Sequence, residues 1–99
     1  MQGLSTIVTF YNGLSSLKMC LVLLQDALKT EELYEIIIVN DNPATNIDFL
    51  EKEYSVKVLN MPKNKGYAAA CNYAVDHAQY DTLLFIDCDI YPTGNWLQS

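Results

Sequence analysis

Arginine is absent from the 99 residues, and six lysines face twelve acidic side chains, a formal net charge of −6. That balance excludes a general nucleic-acid binder, which needs a basic face to displace counterions from phosphates. It bears on smaller anions too: bidentate capture of phosphate is arginine's geometry, so a phosphate ligand here must be met by lysine, a helix end or a metal ion. Long apolar runs are missing. Runs such as Cys20–Leu24, Ile36–Val39 and Leu83–Ile86 are well short of the roughly 18 residues that cross a bilayer. Met1–Ser5 has neither the basic start nor the apolar centre of a secretory leader, so a cytoplasmic location is expected, with any membrane association carried by regions outside this chain. Cysteine is limited to Cys20, Cys71 and Cys88, without Cys-x-x-Cys spacing, which reads as reduced thiols packed as small hydrophobes.

What is present is apolar substance. Hydrophobic residues make up 51% and charged ones 18%, enough for a core and unlike a disordered chain, so residues 1–99 are expected to fold as a single domain.

Periodicity sets out the elements. Thr6–Phe10 is a β-branched and aromatic run that stops at Tyr11-Asn12-Gly13, a strand and its turn. Leu14, Leu17, Leu21, Leu24 and Leu28 then recur at three and four residues, marking one face of a helix with Asn12 as its expected cap. Glu35–Val39 is the kind of uninterrupted β-branched run found in strands covered on both faces. Thr45 and Asp48 resemble a capping box before a short helix carrying Ile47, Leu50 and Tyr54. Val56–Leu59 is a third strand. Tyr67, Ala70, Cys71, Ala74, Val75 and Ala78 mark a third helical face, and Thr82–Ile86 a last strand. The β-α-β-α-β-α-β order calls for a three-layer α/β/α fold around a parallel four-stranded sheet, with strand order 3-2-1-4 expected.

In such a sheet, ligands collect beyond the carboxyl ends of the strands. Tyr11, Asp41, the Asn60–Lys65 loop and Asp87-Cys88-Asp89 all fall there, a set suited to a nucleoside diphosphate and a metal. Asp87 and Asp89, two apart at a strand end, offer hard oxygen ligands on one side to Mg²⁺ or Mn²⁺; acidic residues also simply punctuate strand ends. Asp41 can accept a hydrogen bond from the ring N–H of a uracil, or else form an Asx turn before Asn42-Pro43. Tyr11 can lie against a base or serve as packing. Lys65 opens the third helix, whose N-terminus favours an anion, while Lys63 reads as solvated loop and His77 as surface.

Four blocks carry a family resemblance: Ser5-Thr6-Ile7-Val8-Thr9-Phe10-Tyr11-Asn12, Glu35-Ile36-Ile37-Ile38-Val39-Asn40-Asp41-Asn42, Asn64-Lys65-Gly66-Tyr67-Ala68-Ala69-Ala70-Cys71-Asn72 and Leu84-Phe85-Ile86-Asp87-Cys88-Asp89. In this order they resemble the successive blocks of family-2 glycosyltransferases with the Rossmann-like GT-A fold. The resemblance implies the nucleotide-sugar-binding, N-terminal part of a longer glycosyltransferase. It implies Thr9, Tyr11 and Asp41 at base and ribose, Gly66 where the chain passes close to the nucleotide, and Asp87 and Asp89 at ribose and metal. Asn40 departs from the family's usual Asp-Asp pair, so only Asp41 is carried over. The family's catalytic base lies well downstream of the Asp-x-Asp motif, and this chain ends ten residues beyond Asp89. No catalytic residue is therefore assigned, the chain alone is expected to be inactive, and the acceptor can be a glycan, a lipid or a protein.

Rival patterns fit less well. A haloacid-dehalogenase phosphatase would need Thr where Tyr91 stands, with its motif opening the domain. A receiver-like domain would need an acidic pair after the first strand, where Tyr11-Asn12-Gly13 has none. A fragment that binds a nucleotide or a partner without turnover is the remaining alternative.

Overall fold

A computed structural model describes residues 3–11, 13–61 and 67–87, the side chains of Tyr67 and Asp87 excepted. The elements run β1 (Leu4–Phe10), α1 (Leu14–Leu28), β2 (Tyr34–Asn40), α2 (Leu50–Tyr54), β3 (Lys57–Asn60), α3 (Tyr67–His77) and β4 (Thr82–Asp87). The strands pair in parallel in the order β3-β2-β1-β4, the order expected from the βα alternation. Among the described residues, no helix is long and apolar enough to cross a membrane.

The β2 run explains the layering. Successive side chains point to opposite faces of a sheet, and Ile36 and Ile38 join the core beneath α1 and α2 while Ile37 and Val39 join the core beneath α3. All four are buried. Leu17, Leu21, Leu24 and Leu28 of α1 are fully buried against Val8, Phe10 and Val58, as their spacing predicts. Each such leucine contributes about 1.5–3 kcal/mol on burial, enough to override the weak signals at the helix ends.

Those ends differ from expectation. The residue before α1 is Gly13, in the left-handed region at φ 84°, with no side-chain cap; Asn12 lies outside the described residues. A side chain at Gly13 would strain the backbone, so the entry to α1 depends on glycine. The Thr45–Asp48 capping box does not form: α2 starts later, at Leu50, behind Phe49 and without a side-chain cap. Thr45 and Asp48 are engaged instead by Asn40 and Asn60.

The α3 face is also shifted. Ala70 and Ala74 are fully buried, flanked by Ala69, Tyr73 and Ala78, whereas Val75 is 39% exposed. Small alanines let the helix approach the sheet closely, so only a narrow stripe is covered and Val75 falls beyond it. Cys20 is buried and Cys71 only partly so, because Cys71 sits at the margin of that stripe; Cys88 lies outside the described residues. His77 is exposed as expected, with Nδ1 2.8 Å from the Tyr73 carbonyl.

Candidate functional site

Parallel pairing gathers four segments at the carboxyl edge of the sheet. Thr9 lies between Val39 on β2 and Asp87 on β4, and Phe10 pairs with Asn40. The ladder runs one step past the strands: Asp41 N–H donates to the Phe10 carbonyl at 2.8 Å, and Met61 N–H to the Asn40 carbonyl at 2.9 Å. Asp41 therefore emerges beside the end of β1. It is 6% exposed, whereas Tyr11 is half-exposed.

The loop after β2 is tied down by asparagines. Asn40, 1% exposed, accepts the Asn42 N–H on Oδ1 at 3.0 Å and donates from Nδ2 to the Thr45 carbonyl at 2.7 Å and to Asn60 Oδ1 at 3.0 Å. Asn60 Nδ2 donates to Asp48 Oδ1 at 2.8 Å. Asn42 accepts the Ala44 N–H on Oδ1 at 3.1 Å and donates from Nδ2 to the Tyr11 carbonyl at 2.8 Å, bridging the ends of β2 and β1. Asn40 and Asn42 each close a turn of the kind a short polar side chain stabilises.

Of the residues singled out in the sequence, Thr9, Tyr11, Asp41 and the backbone of Asp87 come together at this edge. Lys65, Gly66, Asp89 and the Asp87 carboxylate lie outside the described residues, as does Lys63. Among the described residues, no three His, Cys, Asp or Glu side chains group to hold a metal ion. Asn40, Asn60, Thr45 and Asp48 were not anticipated as partners. Their signal was present: asparagine is depleted in strands, yet β2 and β3 both end in it.

The edge thus carries Asp41, largely buried and with its backbone paired with Phe10, and the half-exposed Tyr11 at the end of the neighbouring strand. A planar ring carrying an N–H can be met there by an acceptor and an aromatic surface together.

The family model described as Glycosyl transferase family 2 matches residues 5–99. The chondroitin synthase of Escherichia coli is 32% identical over 104 residues, taking in 99% of this chain and 15% of the synthase. Among solved structures, S. aureus TarS 1-349 in complex with UDP superimposes with a TM-score of 0.70 at 26% identity, over 99% of this chain and 30% of that one. The mannosyltransferase PcManGT from Pyrobaculum calidifontis, in complex with GDP-Man and Mn²⁺, superimposes with a TM-score of 0.79 over 98% of this chain and 31% of its own. At 17% identity, that likeness shows the shared fold alone. The chain spans under a third of the length of each of these three proteins.

Proposed function

Because the chain belongs to glycosyltransferase family 2, we propose that it is the donor-binding part of a glycosyltransferase, taking a nucleoside diphosphate sugar, with UDP-sugars favoured, together with a divalent cation. The observation that carries this reading is the meeting of Thr9, Tyr11, Asp41 and the end of β4 at one sheet edge, with Asp41 N–H locked to the Phe10 carbonyl. The UDP held by TarS and the GDP-Man and Mn²⁺ held by PcManGT support it.

In this reading Asp41, acceptor-only when ionised, takes the N3–H of uracil; neutral cytosine presents a bare N3 there and sets lone pair against lone pair. Tyr11 covers a face of the base. Asp87, at the end of β4 opposite Thr9, serves the ribose and, with Asp89, supplies hard oxygen ligands of the type Mg²⁺ and Mn²⁺ prefer. When bound, the ion contributes positive charge to the diphosphate. Lys65 adds a single positive charge, and with no arginine in the chain the diphosphate depends on these two sources and on the N-terminus of α3. With Asp41, Asp87 and Asp89 all occupied by the donor, none of them is left to deprotonate an acceptor hydroxyl, so the 99 residues alone bind without transferring sugar.

Isothermal calorimetry with UDP, with Mn²⁺ and then with EDTA, tests the reading. Binding in Mn²⁺ that is lost in EDTA is expected. Unchanged affinity in EDTA removes Asp87 and Asp89 from the metal role, and no binding in either condition removes the donor assignment.

A further inference from the structure

Two side-chain amides in series close the carboxyl ends of β2 and β3, and their partners fix how they are oriented. Asp48, when ionised, can only accept, so Asn60 must turn its Nδ2 toward it at 2.8 Å, which leaves Asn60 Oδ1 facing Asn40. The Thr45 carbonyl can only accept and the Asn42 N–H can only donate. Asn40 must therefore give Nδ2 to Thr45 and Asn60, and Oδ1 to Asn42. Every donor in the chain points the same way, from Asn40 through Asn60 to Asp48.

We propose that Asn40, Asn60 and Asp48 form a one-directional hydrogen-bond relay that holds the donor-reading residues in register, making Asn40 a positioning residue for base specificity. The proposal rests on the donor reading above. The link to the site is direct: Asn40 fixes the Asn42 backbone, the Asn42 side chain fixes the Tyr11 carbonyl, and Asp41 sits between the two with its own N–H on Phe10. At 1% exposure Asn40 has no water to replace a lost partner, and unmet polar groups in such a place are costly.

The direction of the relay makes the proposal testable. In N40D the new carboxylate has no proton for the Thr45 carbonyl or for Asn60. If Asn60 turns over to donate to it, Asn60 Oδ1 then faces the Asp48 carboxylate, also without a proton. Adding D48N supplies that proton, so the double variant N40D/D48N runs the relay backwards between positions 40, 60 and 48 at the wild-type net charge. Only the bond to Thr45 stays broken.

UDP and CDP affinities are measured by calorimetry in Mn²⁺ for the wild-type chain, N40D, D48N and N40D/D48N, with thermal unfolding of each. N40D is expected to lose about tenfold in UDP affinity and most of its preference for UDP over CDP, D48N to lose less than N40D because its side-chain oxygen can still accept from Asn60, and N40D/D48N to regain both affinity and preference relative to N40D. A fold-only role would move the melting temperature and leave the UDP-to-CDP ratio of folded protein unchanged. N40D binding like wild type overturns the relay, and so does a double variant that binds, or folds, no better than N40D. Absence of UDP binding by the wild-type chain is a different failure: it overturns the donor reading, and the positioning role with it.

Discussion

At the amino end of the sheet, the Glu35 carboxylate accepts the Ser5 hydroxyl at 2.7 Å and the Gln79 N–H at 2.6 Å, and lies 3.7 Å from Lys57 Nζ. At the carboxyl end, the hubs are the neutral amides of Asn40 and Asn60, whose partners are loop groups and Asp48. The first network draws on β1, β2, β3 and the connection into β4, where Ser5 Oγ also receives the Tyr80 N–H at 3.2 Å. Its charged group is the centre and is consumed by the fold. The second is centred on amides that fix the loop backbone on either side of Asp41 and the carbonyl of Tyr11; Asp41 is 6% exposed and Tyr11 half-exposed. Polar residues at strand ends therefore build two kinds of network, separated by whether the hub is a charge or a neutral amide.

The largest effect is expected from breaking the amino-end hub. Glu35→Ala strips partners from Ser5, Gln79 and Lys57 at a side chain only 14% exposed, which should cost about 3 kcal/mol in urea unfolding while leaving the UDP-to-CDP ratio intact. A loss under about 1 kcal/mol would show that this end is as loosely built as an ordinary surface. Next comes Asp41→Ala, expected to reduce the preference for UDP over CDP by roughly ten- to hundredfold, the worth of a hydrogen bond to a charged group. An unchanged UDP-to-CDP ratio in Asp41→Ala would remove that carboxylate from base recognition. Tyr11→Ala should weaken UDP by about 1 kcal/mol, near the low end of base stacking because the ring is half-exposed, and should leave the UDP-to-CDP ratio in place. Lys29→Ala belongs to neither end: its pair with Asp26 at 2.9 Å is 68% and 71% exposed, and its removal should shift stability by no more than about 0.3 kcal/mol.

Legibility in the sequence follows the size of the forces involved. The leucine spacing of α1 and the Ile36–Val39 run report large burial energies, and the layers and strand order could be read from them. Helix starts and loop contacts depend on single hydrogen bonds whose alternatives differ by about 1 kcal/mol, and there the local pattern misleads. Thr45 and Asp48 have capping-box spacing, but the Thr45 carbonyl and the Asp48 carboxylate serve asparagines 5 and 12 residues away. Asn12 has the residue type of a cap but lies outside the described residues, and the position before α1 is Gly13, in the left-handed region that favours glycine. At the candidate site, Thr9, Tyr11 and Asp41 were legible because the carboxyl edge of a parallel sheet is a predictable place. Asn40 and Asn60 gave only the hint of an asparagine at each strand end, because their partnership exists only once β2 and β3 are side by side.

The contrast between the two ends is tested most directly by ¹⁵N-resolved NMR of the chain titrated with UDP in Mg²⁺, which reports on every backbone N–H at once. The account predicts shifts concentrated at Thr9, Phe10, Tyr11, Asp41 and Asn42, with Ser5, Glu35 and Gln79 unmoved. Shifts centred on Ser5, Glu35 and Gln79, or a spectrum unchanged at saturating UDP, would contradict it.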